Sequence, residues 1–302
     1  MAGGAAAGQL IGVAFSPVIT RLYGPEPFGV LGAFMAAIAI VSPLSTLAYS
    51  LAISMPENDE DAVELFTISM GVAAAIGLLS LPFLLVFRRP IAEALGNAGV
   101  QPYVWFLAPV ATVVGIYEAL TQWSIRKRRF RVIGAVEAGH AGAVGLAKTG
   151  LGFLAPSSAS LIVTTAVGRL AQTVGMALSA RELRPLLRGS LLADRRSRRR
   201  TLARQYRDFP AYRAPQNFLN SISRNAPVIL FAGVFGAATA GFYAIGQRVL
   251  QLPIALVSRS IGKVLLPRLA ETVHQGRPLQ PVVLKATAGL AAFGVVPFGI
   301  VF

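Results

Sequence analysis

Nine times along the chain, about twenty consecutive residues are almost all apolar, the length a helix needs to cross the hydrocarbon core of a bilayer. These stretches run at 3–20, 28–53, 65–87, 103–124, 132–154, 157–180, 212–234, 240–266 and 282–302. In lipid a helix of this length satisfies its own backbone hydrogen bonds, so the sequence predicts an all-α polytopic membrane protein. The first stretch lacks the basic start of a secretory leader and runs into Thr20-Arg21-Leu22-Tyr23 rather than a small-residue cleavage site. It too is read as a membrane helix. Only 14% of residues are charged, against about 25% in an average soluble domain. Cysteine is absent and there are two histidines, which excludes disulfides, thiolate metal sites and a histidine-rich metal centre. No cofactor or metal site is expected.

The formal charge is +15, which in a soluble protein points to nucleic acid. Here the basic residues sit between apolar blocks and alternate in abundance. The loops after the second, fourth, sixth and eighth spans hold 18 Lys and Arg, and the other four loops hold three: Arg21, Arg88 and Arg89. The positive-inside rule then places the N-terminus and the basic loops in the cytoplasm. The run Arg195-Arg196-Ser197-Arg198-Arg199-Arg200 is explained by topology, so no nucleic-acid partner is expected. Membrane lipids are natural partners for it. The acidic run Glu57-Asn58-Asp59-Glu60-Asp61 reads as a solvated loop.

Residues 181–211 form the only long polar stretch. They divide an N-terminal six-helix lobe, 1–180, from a partial C-terminal lobe of three helices, 212–302. The middle of the linker is either an amphipathic surface helix or disordered. The two halves also echo each other. Tyr23-Gly24 is followed by four residues and Gly29, and Phe235-Gly236 by four residues and Gly241, 212 residues later. The same offset lays the first three spans over the seventh, eighth and ninth, and internal repeats are common in transporters. On this register the second half stops after three of six helices, so about 100 further residues are expected to complete it.

Seven basic residues remain within or beside the spans: Lys148, Arg169, Arg224, Arg248, Arg259, Lys263 and Lys285. A charge near the bilayer centre costs roughly 2.5–3.5 kcal/mol on insertion scales, so it must face a partner or water. Asn217, Asn220, Ser221 and Arg224 share one helical face, and Arg248, Arg259 and Lys263 share another. Thr165, Arg169, Gln172 and Thr173 form a third. Such stripes suggest a hydrated interior. Arg169, Arg224 and Arg248 lie deep in their spans with no acid at matching depth in the sixth to eighth, which suits an anionic ligand such as phosphate. Lys263 and Lys285 have a plainer reading as snorkelling residues near span ends. For Arg169 the alternative is pairing with Glu118 or Glu137. No P-loop, zinc-protease or serine-hydrolase motif is present, and no enzymatic activity is expected.

The stretch Thr20-Arg21-Leu22-Tyr23-Gly24-Pro25-Glu26-Pro27-Phe28-Gly29 resembles the signature after the first helix of Wzx-type bacterial oligosaccharide flippases. Tyr206-Arg207-Asp208-Phe209-Pro210 is similar to the entry to their seventh helix, and Gly241 to Pro253 to their eighth. The resemblance extends to the antiporters and lipid II flippases of the same superfamily. It implies a fold of two six-helix lobes around a central cavity. It implies movement of undecaprenyl-diphosphate-linked oligosaccharide across the bacterial inner membrane for O-antigen, capsule or exopolysaccharide. Polysaccharide polymerase and glycosyltransferases are the implied partners. An arginine matching Arg248 lines the cavity in the lipid II flippases. Arg21, Tyr23, Pro25, Glu26, Phe28 and Gly29 carry the signature loop. The rival readings are a drug or cation antiporter, a membrane glycosyltransferase or polymerase, and a non-transporting remnant.

Overall fold

The computed structural model describes residues 3–192 and 195–247, together with Leu284, Thr287 and Ala288. Among the described residues the regular elements are all helical. Residues 3–245 gather into one compact unit, and the chain from Gly246 onward belongs to a second. Most of the eighth expected span and nearly all of the ninth lie outside the described residues, as do Arg248 and Arg259.

Helix α1 spans Gly3–Tyr23. Gly24 then adopts φ 71°, ψ 177°, a region open essentially to glycine alone. Pro25, with its φ already helical and no N–H to leave unsatisfied, starts α2, Pro25–Ser45. The single span expected over 28–53 is broken here. Leu47 and Ala48 take φ 48° and 58°, a left-handed turn after Pro43, and a short α3 follows at Tyr49–Ala52. Asn58 caps α4, Asp59–Val86, by accepting the Asp61 N–H at 2.8 Å. Three acids in its first turn complement the helix dipole.

A short α5, Arg88–Ala94, and a 3₁₀ run, Ala98–Phe106, lead into α6, Leu107–Arg126. Helix α7 is Phe130–Leu154. Helix α8, Ser158–Ser179, opens on a capping box between Ser157 and Ser160. The polar linker holds two helices, α9 at Leu183–Leu192 and α10 at Arg196–Gln205. A π turn at Phe209–Arg213 leads into α11, Ala214–Phe235. Gly236 repeats the backbone of Gly24, with φ 86° and ψ 170°, and residues 237–247 are again helical.

Among the described residues, five stretches are long and apolar enough to cross a membrane: Pro25–Ser45, Asp59–Val86, Ala98–Arg126, Ser158–Ser179 and Phe209–Phe235. Burial runs opposite to that of a soluble helix. Leu78, Leu79 and Val86 of α4 are each 73% exposed, whereas Glu64 and Ser69 of the same helix are fully buried. Apolar side chains facing outward along a span are what a bilayer accepts and water does not. Two cores lie inside. One surrounds Phe34, Val100 and Leu161, and the other surrounds Trp123, Phe66, Ile53 and Met176. Helix α1 packs on α7, α4 on α6, α8 on α6 and α7, and α11 on α2. Small residues permit the closest of these approaches: a Cβ on Gly145 would stand 2.4 Å from the Phe15 ring.

Candidate functional site

The glycine motif repeated after 212 residues has a geometric counterpart. A Cβ on Gly29 would lie 1.8 Å from the Ala237 carbonyl oxygen, and one on Gly241 would lie 2.2 Å from the Pro25 carbonyl oxygen. In the repeat register Gly29 corresponds to Gly241 and Pro25 to Ala237. The contacts are therefore reciprocal, as two copies of one surface related by a two-fold axis must be. Gly32 meets Ala244, its own counterpart, with Cβ atoms 3.4 Å apart once a methyl is placed on the glycine. A position touching its own equivalent lies on the axis. The two glycine-motif segments thus cross backbone to backbone at the start of α2.

The signature residues position this crossing. The Tyr23 hydroxyl donates to the Lys148 carbonyl oxygen at 2.9 Å and stands 3.4 Å from the Ser160 hydroxyl, tying the end of α1 to α7 and to the start of α8. Phe28 is buried in the first core. Pro25 and Gly29 make the crossing itself, while Arg21 and Glu26 are exposed. Tyr23→Phe removes that tie between α1 and α7 while the carbonyl keeps its own helix bond. It is expected to lower stability by about 1 kcal/mol, read as a lower thermal midpoint of the purified protein.

The polar stripes divide. Many hydroxyls bond back to their own helix: Thr20 to the Ser16 carbonyl, Ser42 to Ile38, Thr165 to Leu161 and Thr173 to Arg169. Thr165, Gln172 and Thr173 are buried within the helix bundle. Arg169 donates to the Gln172 side-chain oxygen at 2.9 Å and lies within electrostatic reach of Tyr117 and Glu137. His140 of α7 and Gln172 of α8 border an apolar groove of about 530 Å³ between those two helices.

The α11 stripe is different. Asn220 and Arg224 are exposed, and Asn217 and Ser221 are half-buried. They flank the side of α11 on which Ala214, Val228 and Ala232 are buried. Among the described residues no carboxylate lies within ion-pair distance of Arg224. Arg169 and Arg224 therefore occupy different settings, one inside the bundle and one on an open helix face.

At the far end of α2, about 24 Å from Gly29 at 1.5 Å per residue, lies a cluster that motif reading missed. The acidic run is not a free solvated loop. Asp59 is held by Arg126 at 3.0 Å and by Lys127. Arg126 also donates to the carbonyl oxygens of Pro56 and Glu57. Asp61 receives two bonds from Arg198, at 2.8 and 2.7 Å. These bonds and the Asp61 charge hold the Arg198 guanidinium above its usual range. Arg195 reaches Glu60 at 3.2 Å, and Arg129 pairs with Glu182. Glu64, fully buried, accepts from Arg199 at 2.7 Å, and Arg195 stands 3.5 Å from its second oxygen. The available signal was spacing: Glu60, Asp61 and Glu64 fall at i, i+1 and i+4, one side of α4.

The described residues thus define an all-helical membrane protein in which the two glycine-motif segments meet reciprocally. A sequence profile described as "Polysaccharide biosynthesis protein" matches residues 18–302. The chain belongs to this polysaccharide biosynthesis protein family. It is also similar to the amylovoran biosynthesis protein AmsL of Erwinia amylovora, at 28% identity over 87 residues. That match covers 29% of this chain and 22% of AmsL, so the chain spans well under two thirds of that relative's length in the aligned part. No solved structure matches the chain.

Proposed function

We propose that this member of a polysaccharide biosynthesis family is a flippase that carries diphosphate-linked oligosaccharide on a polyprenyl lipid across the bacterial inner membrane. The observation that carries the reading is the reciprocal crossing of the two halves at Gly29 and Gly241. Two repeat-related lobes that touch at one face of the membrane and part at the other form an alternating-access carrier. In this reading the nine spans belong to two lobes, 1–180 and 212–302, joined by 181–211. The basic loops and N-terminus are cytoplasmic. The crossing, at the opposite end of α2 from the basic cluster, closes the outer face.

The chain then acts as a carrier rather than an enzyme. Arg224 and Arg248, with Arg259 as a further cation, bind the diphosphate, while Arg169 stays inside the bundle on Gln172. Asn217, Asn220 and Ser221 contact sugar hydroxyls, and the lipid tail stays in the bilayer. Arginine suits this task because its planar fork grips two phosphate oxygens at once and keeps its charge when desolvated.

The test is complementation of a flippase-null strain. Arg224 is exposed, so Arg224→Ala should insert and fold normally while surface glycan falls about tenfold or more, the loss of one charge-assisted hydrogen bond. Arg248→Ala should behave alike. Undiminished surface glycan in both variants would refute the assigned roles.

A further inference from the structure

We propose that the outward face of α10 is a docking surface for the phosphate headgroups of anionic phospholipids. The helix divides its arginines between two faces. Arg195, Arg198 and Arg199 turn toward α4, where Glu60, Asp61 and Glu64 hold them, and Leu202 is buried on the same side. Arg196, Arg200 and Arg204 stand at i, i+4 and i+8 on the other face, and Arg207 follows just past the helix end. All four are exposed, and no ion pair among the described residues engages them. The first three make a row about 12 Å long at 1.5 Å per residue. The fold neutralises the inner face of the helix and leaves the outer one fully charged.

The depth of α10 selects the anion. It grips α4 at Glu60, Asp61 and Glu64, and Ala62, Val63 and Leu65 of the same turns already begin the buried apolar run. The Tyr49 hydroxyl also donates to the Ala203 carbonyl oxygen at 3.1 Å, fastening α10 at the foot of the short α3. The helix therefore lies where α4 passes from polar to membrane-crossing, which is headgroup level. Helix α9, packed on the same end of α4, exposes Leu186 as an apolar side chain at that level. Phosphates in the plane of the bilayer reach this row directly, whereas a soluble acidic protein or nucleic acid must approach through the headgroups. Each basic residue near an anionic surface strengthens binding about fivefold, so the three-arginine row is worth roughly a hundredfold. The surface needs only the membrane setting and not the transport reading.

Native mass spectrometry of the 302-residue chain in detergent tests this, with phosphatidylglycerol and phosphatidylcholine as the two probes. The native protein should retain phosphatidylglycerol preferentially. The triple variant Arg196→Gln, Arg200→Gln, Arg204→Gln should lose that preference by about a hundredfold in affinity, with its thermal midpoint unchanged. Equal retention of phosphatidylglycerol by both proteins would overturn the proposal. So would a fall in midpoint like that of Arg198→Gln, which would make the row structural. Displacement of the lipid by an equal concentration of inorganic pyrophosphate would mark a soluble-anion site instead. Loss of a co-purifying acidic protein with lipid retention intact would make it a protein dock.

Discussion

Replacing Gly29 or Gly241 by alanine is expected to cost about 3 kcal/mol each, the upper range for forcing an atom into a packed interior. The added methyl would stand 1.8 Å from the Ala237 carbonyl oxygen in the first case and 2.2 Å from that of Pro25 in the second. Both obstacles are backbone atoms on a neighbouring helix start, so no rotamer change relieves them. The helices must separate instead, and the crossing of the two halves is lost. Gly142, in α7, has nothing within 4 Å of its ideal Cβ. Gly142→Ala should therefore be neutral or stabilise by roughly 0.5–1 kcal/mol, the ordinary penalty of glycine inside a helix. Thermal midpoints of the three variants decide the matter. A Gly29→Ala protein as stable as Gly142→Ala would mean that the halves do not meet at this point. If the crossing closes one face of a carrier, glycan export should also fall in the two clashing variants and persist in the control.

The second large effect belongs to Glu64. Its side chain is fully buried, and its charge is matched by Arg199 at 2.7 Å and Arg195 at 3.5 Å. Removing one member of a buried pair strands the other, at a cost of about 3 kcal/mol. Glu64→Gln and Arg199→Gln should each destabilise by that order. The double variant should cost less than the two single effects together, because neither charge is then left alone. Melting of the four proteins completes the cycle, and simple additivity would show that the pair does not interact. The exposed pair Arg89–Glu93 in α5, with side chains 80% and 65% exposed, sets the contrast. Its removal should stay within about 0.5 kcal/mol. The difference follows from solvent: water screens both members of one pair and is kept from the Glu64 carboxylate in the other.

The long apolar runs were legible because a bilayer imposes one requirement on every span, and each of the first seven expected stretches has helical counterparts. The break of 28–53 at Thr46–Ala48 was less visible. Pro43 hints at a kink, but the left-handed turn at Leu47 and Ala48 uses residues with no preference for it. The packing of Tyr49, Ala52 and Ile53 into the second core holds it in place. The linker follows the same rule. Arg195, Arg198 and Arg199 look identical in sequence to Arg196, Arg200 and Arg204, and helical spacing separates two faces without saying which face meets α4.

An all-helical membrane protein, the end of each span that carries the basic residues, and a glycine motif recurring after 212 residues are all readable from the chain alone. These are properties of local composition and period, and lipid reads them one segment at a time. Packing alone brings the recurring glycine motifs together reciprocally, turns Arg169 toward Gln172 while Arg224 stands open, and clamps Glu60, Asp61 and Glu64 to one face of a basic helix. Those outcomes depend on which surfaces meet. Close backbone approach and the pairing of buried charge are settled by distances of a few ångströms between segments far apart in the chain.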